Sequence, residues 1–350
     1  MVRSRVLAVL VPVTVAAVTA CLVTGAGPAA AEAAQGASRA PLPAHVFAPY
    51  FETYAGSSLA TLSHDSGAKY LTLAFLQTPA RGSCEVAWNS DPTTPVSWST
   101  YGADIRRIRA AGGDVVPSFG GYSADHDGTE IADSCTSVPL IAAAYENVIR
   151  TYGVTRIDLD VEDRSLNRPA AIDRRNRAIH LVQEWAAAHH RTVQFVYTLP
   201  TGTAGLDPTG AALLQDAVRD GARVQVVNIM TFDYYDGAPH EMARDTAVAA
   251  DAVLAQLRTV YPRASRHALW SMLGITEMIG IDDFGSPETL TTADARRVER
   301  WATARGVAEL SFWALQRDNG GCPGTAGSDD CSGVRQAPWQ FSRTFEPFTR

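Results

Sequence analysis

The sequence predicts an α/β fold, a closed (β/α)8 barrel of the TIM type that forms a single domain. Three observations predict it. Strand-like and helix-like segments alternate eight times between residues 43 and 350. The first strand-like segment lacks the Gly-rich phosphate turn of the competing fold, an open doubly wound sheet; it reads Ala48-Pro49-Tyr50-Phe51-Glu52. No linker, repeat or low-complexity tract interrupts the chain beyond residue 40.

In order, the first strand is expected over 45–54 and the second over 69–77 (KYLTLAFLQ). A helix with apolar and basic faces follows over 97–111. The third strand, 113–121, ends on Gly120-Gly121, a pair that permits close backbone approach. A helix over 138–152 leads to the fourth strand, 156–163. The helix over 169–190 opens on Pro169, which suits a first turn. The fifth strand is 191–200, followed by a helix over 208–220 that stops at Gly221. The sixth strand is 224–235, with a helix over 241–261 behind it. The seventh strand is 267–278. A helix over 292–305 carries Asp294 in its first turn and closes at Gly306. The eighth strand is 308–317, and 334–348 holds a last amphipathic segment.

The fourth strand is the most informative. Alternate side chains on a strand share a face. Asp158, Asp160 and Glu162 therefore share one, and Ile157, Leu159 and Val161 the other. Buried carboxylates are costly unless paired, hydrogen-bonded or protonated. Crowding them raises at least one pKa, as a general acid near neutrality requires. An exposed edge strand is the bland alternative, but the run lies between two long helical patterns, as a central parallel strand does. A metal-binding cluster is the other, but the Gly, Asn and backbone ligands of a hard-cation loop are missing.

Barrel chemistry sits at the C-terminal strand ends. Those ends offer Tyr50 and Glu52; Ser118, Gly120 and Gly121; the three acids; Tyr197; Met230, Phe232, Asp233 and Tyr234; Met272; and Trp313, Gln316 and Asp318. The methionines and Tyr50 and Tyr197 either pack the barrel or face a ligand. Trp313 is large for an interior layer and is expected as a pocket floor. Aromatic faces beside paired carboxylates suit a pyranose ring.

The net charge is −7, without a Lys/Arg run outside the extreme N-terminus, which argues against nucleic acid as a partner. Residues 1–31 read as a signal peptide: Arg3 and Arg5, an apolar stretch over 7–23, then Ala29-Ala30-Ala31. A short disordered segment, 32–42, is expected to precede the barrel domain at 43–350. Val18-Thr19-Ala20-Cys21 resembles a lipoprotein cleavage box, so the alternative to secretion is a surface lipoprotein. No membrane association is expected unless Cys21 is lipidated. Cys84, Cys135, Cys322 and Cys331 remain in an exported chain, which suggests two disulfides. Of three connectivities, local pairing of Cys322 with Cys331 across a Gly/Pro/Asp loop leaves Cys84 with Cys135. No histidine lies at zinc-ligand spacing from them.

The chain resembles the glycoside hydrolase family 18 chitinases of the bacterial single-domain type over residues 43–348. Ser118-Phe119-Gly120-Gly121, Asp158-Leu159-Asp160-Val161-Glu162 and Met230-Thr231-Phe232-Asp233-Tyr234 carry the resemblance, together with Trp313. It implies a secreted, endo-acting, retaining hydrolase of β-1,4-linked N-acetylglucosamine polymers that uses substrate assistance. It implies Glu162 as general acid and then base. Asp160 would hold the substrate's acetamido nitrogen, Asp158 would share a proton with Asp160, and Asp233 would touch the −1 sugar. Tyr50, Tyr197, Met230, Phe232, Tyr234, Trp313, Gly120 and Gly121 complete the expected substrate site. A monomer with no cofactor and no metal is expected, its partner being chitin or an N-acetylglucosamine oligosaccharide. Two alternatives stand: an endo-β-N-acetylglucosaminidase acting on N-glycans or peptidoglycan-like chains, and an inactive chitin-binding relative. The latter typically loses the Glu that is kept here as Glu162.

Two departures from the family pattern matter. Thr155 and Arg156 stand where the family has Asp-Gly, below the catalytic end, so only a structural effect is expected. Phe232 stands where the family often has a tyrosine that donates to the acetamido oxygen. Tyr234 is the candidate substitute.

Overall fold

The computed structural model describes residues 40–350, so the expected signal peptide and Cys21 lie outside the described residues, as does most of the segment 32–42. Eight strand positions run in parallel around a ring. The first is split into Val46–Phe47 and Tyr50–Glu52 by a break at Ala48-Pro49. The others are Tyr70–Gln77, Asp114–Gly120, Arg156–Asp160, Gln194–Gly202, Val226–Met230, Leu273–Met278 and Glu309–Trp313. The split strand closes the ring. Its first half pairs with the eighth strand and its second half with the second strand.

Alternation sorts the side chains into two layers. Ile157 and Leu159 face outward and pack with Phe119, Phe195 and Ile229 in the main core between sheet and helices. Arg156, Asp158 and Asp160 face inward and are buried. Helices cover the outside where the sequence places them. Val138–Tyr152 and Thr292–Arg305 match their expected bounds. Thr291 and Asp294 form a reciprocal capping box at the start of the latter. Among the described residues no helix is long and apolar enough to cross a membrane.

Four expectations are corrected. The fourth strand stops at Asp160 rather than 163, and Asp163–Asn167 is a 3-10 turn. The sixth strand stops at Met230 rather than 235, because the chain leaves the sheet after Thr231. The seventh begins at Leu273; residues 266–270 are a short helix, capped by Ser265, whose side chain accepts the Ala268 N–H at 3.1 Å. The eighth ends at Trp313, and Leu315–Arg317 is a 3-10 turn.

Cys84 pairs with Cys135 and Cys322 with Cys331. The second bridge closes a loop beyond the eighth strand, over the C-terminal face. A two-stranded antiparallel ribbon, Gly280–Asp282 with Gly285–Leu290, rises from the seventh strand beside it.

Candidate active site

A cleft of about 580 Å³ opens at the C-terminal face. Its floor is aromatic. Trp313 and Phe75 lie nearly parallel, 5.7 Å apart and 8° from coplanar, and Tyr50 tilts against both. Met230 and Phe232 add apolar wall, and Asp160, Glu162 and Asp233 reach the same space.

The acids form a graded stack. Asp158 lies deepest and accepts hydrogen bonds from Ser118 Oγ (2.6 Å), Thr198 Oγ1 (2.7 Å) and Tyr50 Oη (2.9 Å). Burial raises its pKa, and these donors pull it back. Asp160, one step up the strand, is 4% exposed, and its Oδ1 has no hydrogen-bond partner. Burial and the neighbouring Glu162, Asp158 and Asp125 hold its pKa well above the usual range. Glu162 lies just past the strand end and is half-buried. Burial pushes its carboxyl up to about 7, against the Tyr122 N–H, which favours the ionised form. Burial thus raises all three; Asp158 is held by three donors, whereas Asp160 Oδ1 has none.

Close approach of the third and fourth strands makes the stack possible. Gly120 has φ 101° and Gly121 φ 83°. A Cβ on Gly120 would collide with the Asp160 carbonyl, and one on Gly121 with the Phe75 ring. Both were expected to touch substrate. Neither lines the cleft; Gly120 lets two backbones meet, and Gly121 makes room for the Phe75 ring.

Tyr197 is also corrected. It is fully buried on the outer face of the sheet, and its hydroxyl donates to Asn176 Oδ1 at 2.6 Å. Its register partner is Leu159, which faces outward, not Asp158 or Asp160. Tyr234 turns away from the cleft to lie tilted against His240, ring centroids 4.6 Å apart, and its hydroxyl is buried without a partner. It does not stand in for the tyrosine missing at Phe232. The next residue, Tyr235, reaches the cleft instead. Met272 precedes the seventh strand, whose far end presents Thr276 and Met278 to the cleft. Gln316 pairs with the Glu52 backbone in both directions. Asp318 anchors the C-terminal helix Gln340–Phe345 through the N–H groups of Phe341 and Ser342. Glu52 is buried beneath the cleft edge and accepts from Tyr54 at 2.8 Å.

Asp125 was not anticipated. It sits on the short helix Tyr122–Asp127, is fully buried, and its carboxylate accepts the Glu162 backbone N–H. Burial, Glu130 and Glu162 raise its pKa well above normal. Behind it, Arg175 and Glu130 form a buried pair at 2.7 Å. No sequence period links residue 125 to residue 162, so only the fold brings them together.

Oxygens of Asp233, Asp282 and Glu288 lie within 4.8 Å of one another, a set that would suit a hard cation by ligand type. The chain already uses them otherwise. Asp282 accepts the Asp233 N–H at 3.2 Å and Glu288 the Tyr234 N–H at 2.8 Å. Burial, Asp283 and Glu288 push Asp233 up to about 7, and burial and Asp233 push Asp282 up to about 8. The cluster staples a loop and relieves its charge with protons.

The model of glycosyl hydrolases family 18 matches residues 46–318. Active domain 2 of the thermostable chitinase of Pyrococcus furiosus, solved as catalytic-site mutants with chito-oligosaccharides, is 30% identical; the match covers 88% of this chain and 95% of that one, with a TM-score of 0.76. A probable bifunctional chitinase/lysozyme of Escherichia coli is 31% identical over 88% of this chain and 35% of its own length. Endochitinase 11 of Metarhizium anisopliae is 29% identical over 79% of this chain and 53% of its own length. The chain thus spans about a third to a half of these two curated relatives. It belongs to glycosyl hydrolases family 18.

Proposed function

We propose that this member of the family hydrolyses β-1,4 linkages within chains of N-acetylglucosamine, endo-acting and with retention, through the substrate's own acetamido group. The observation that carries the reading is the pairing of Asp160 with Glu162: a buried carboxyl oxygen without a partner beside an acid poised near pH 7.

The steps follow from that arrangement. The −1 sugar lays its C–H face on Trp313. Glu162, protonated at neutral pH and below, donates its proton to the glycosidic oxygen. The acetamido N–H donates to Asp160 Oδ1, which turns the acetamido carbonyl oxygen toward the anomeric carbon. That oxygen attacks as the leaving group departs, giving an oxazolinium ion. Asp160 stabilises the positive charge as a carboxylate, its proton shared with Asp158, whose three hydroxyl donors hold it in place. Glu162, now ionised, takes a proton from water, which opens the ring from the same face as the departed sugar. Export of the protein is part of the same reading, supported by the N-terminal sequence and by two disulfides, which persist in oxidising compartments.

The test is hydrolysis of a nitrophenyl N-acetylchitooligosaccharide, with NMR of the first-formed anomer, beside Glu162→Gln. The expected result is a β-anomer product and a loss of about a thousandfold in kcat with Glu162→Gln. An α-anomer product, or a variant as fast as the parent, overturns the reading.

A further inference from the structure

The loop between the sixth strand and the helix Met242–Val260 brings Phe232, Asp233 and Tyr235 to the cleft. Its backbone is strained. Asp233 has φ 50° and Tyr235 φ 59°, both in the left-handed region that a side chain disfavours. Residues in that region persist where their surroundings hold them. The Asp233 and Tyr234 N–H groups are held by Asp282 and Glu288. The Tyr235 side chain is exposed and leans on the Phe284 ring, centroids 3.9 Å apart. Beyond Tyr235 the chain is tied through His240.

The His240 side chain is 6% exposed and lies between two carboxylates. Its Nε2 is 3.0 Å from Asp236 Oδ1, one residue past Tyr235, and its Nδ1 is 3.0 Å from Asp245 Oδ2 on the helix. Ionised carboxylates only accept, so both contacts at once require a proton on each ring nitrogen, the imidazolium form. A neutral ring has one N–H and gives up one contact. Asp245 has other donors, the Glu241 N–H at 3.2 Å and Arg244 Nε at 3.1 Å. Asp236 is exposed, and its other donor, the Ala238 N–H at 2.8 Å, belongs to its own turn. The Asp236 contact is therefore the weaker of the two. On the ribbon side, Glu288 adds negative charge, and the Pro287 carbonyl accepts the His240 N–H at 2.9 Å. The Tyr234 ring covers one face of the imidazole. On the helix side, Arg244 is mostly exposed beyond Asp245, and Glu241 pairs with Arg297 at 3.2 Å. Burial lowers the His240 pKa, but Asp236 and Asp245 outweigh it and leave the pKa above its ordinary value. The Ala238 N–H and His240 hold Asp236 below the usual carboxylate range.

We propose that His240 is a positioning residue for the cleft: as an imidazolium it ties the turn at Asp236 to the helix Met242–Val260, and through that tie it sets Tyr235 against the bound glycan. The inference rests on the hydrolase reading for the identity of the glycan, and on the geometry alone for the tie. His240 gains its carboxylate partners on folding, so the tie is present at acid pH and is lost as pH rises through the folded pKa of His240. Its loss lets the strained turn relax. Part of the population then no longer presents Tyr235, and apparent affinity falls by that fraction. The reacting acids stand on or just past another strand, so KM responds to the tie more than kcat does. Asp233 shares the loop and is itself pushed up to about 7, chiefly by burial. Substitution at Asp236 separates its titration from that of His240.

The experiment measures binding of N-acetylchitohexaose by calorimetry between about pH 5.5 and about pH 8.5. The protein carries Glu162→Gln, which stops turnover and removes that titration. Kd should rise about fivefold across the range. With Asp236→Ala added, Kd should be weak at both ends. With Asp236→Asn added it should be tight at both ends, because an amide accepts from a ring N–H and donates to a bare ring nitrogen. The same pH dependence in all three proteins overturns the proposal and assigns the effect to Asp233. In the active enzyme, Asp236→Ala should raise KM about fivefold at the acid end, with a smaller change in kcat; an equal change in kcat overturns a role in positioning the glycan. A second readout needs no glycan. In the ligand-free protein the backbone amide resonances of Tyr235 and Ala238 should shift with the midpoint of the His240 ring. Resonances that stay in place overturn the proposal whatever the substrate. Resonances that shift in a protein that neither binds nor cleaves the hexaose uphold the tie and overturn the hydrolase reading instead.

Discussion

The two ends of the barrel treat buried charge in opposite ways. At the N-terminal end, Arg156 reaches across the barrel to Glu309 at 2.7 Å and to Gln194, with both charged side chains 4% exposed. Arg109 pairs with Asp114 at 2.8 Å at the same end. At the C-terminal end, no cation among the described residues pairs with Asp158, Asp160 or Glu162; hydroxyls hold Asp158, an N–H faces Glu162, and Asp160 Oδ1 has no partner. An acid beside arginine has its rise on burial opposed by the partner charge and serves as structure. An acid beside a hydroxyl, or beside nothing, keeps a proton it can give away. The strand 156–160 contains both cases within five residues, and Arg156, where the family has Gly, seals the barrel floor.

The largest expected effect of this asymmetry is collective. Glu162 and Asp233 are pushed up to about 7, and Asp282, Glu277 and Glu52 to about 8, chiefly by burial. Each lies above its unfolded value near 4. The folded protein therefore binds more protons than the unfolded chain between about pH 4 and pH 8, and stability falls as pH rises through that window. Thermal unfolding should show a Tm several degrees higher at pH 5 than at pH 8. A flat or rising Tm over that range would break the comparison at the upper end.

The lower end is broken by Arg156→Met. Removing one partner of a buried pair leaves the other charge uncompensated, at a cost of about 3 kcal/mol. Burial already raises Glu309 to about 7 despite Arg156. The deficit should therefore shrink at pH 5, where Glu309 takes a proton. Arg156→Met/Glu309→Leu should recover most of the loss in urea titrations at pH 8.

Asp125→Ala removes the acceptor that holds the Glu162 N–H, and kcat should fall about thirtyfold through misplacement of the acid. Asp125→Asn keeps an acceptor oxygen and should recover most of the rate. Equal losses in both would mean that the charge, not the hydrogen bond, is what Glu162 needs. Steady-state kinetics on the nitrophenyl substrate, with far-UV spectra to confirm folding, separates the two.

The parts of this asymmetry that follow a period were legible in the sequence. Alternation along the fourth strand placed Asp158 and Asp160 on the inner face, and the eight strand segments fell near their expected positions. Legibility ended where the chain left the sheet. Beyond Met230 alternation no longer sets direction, so Tyr234 turned outward and Tyr235 inward. Tyr197 was misread because its face depends on register with Leu159, which no single strand encodes. Asp125 and His240 come from a short helix and a loop with no period at all.

The smallest expected effect tests whether the upper end is complete. Phe232 lines the cleft but has no hydroxyl, and Tyr234 points elsewhere. In the proposed reaction the acetamido oxygen would therefore lack a donor from the segment beyond Met230. Restoring one with Phe232→Tyr adds an oxygen at the cleft surface rather than within the core. A hydroxyl there would orient the acetamido oxygen for attack rather than stabilise charge, since that oxygen grows more positive as the oxazolinium ion forms. In the proposed reaction Asp160 already orients the acetamido group, so a gain of about fivefold in kcat with little change in KM is expected. A loss of activity would show that the space beside Phe232 is filled by the substrate's acetyl methyl group. The upper end would then be complete as it stands, with apolar packing in the place of a hydroxyl.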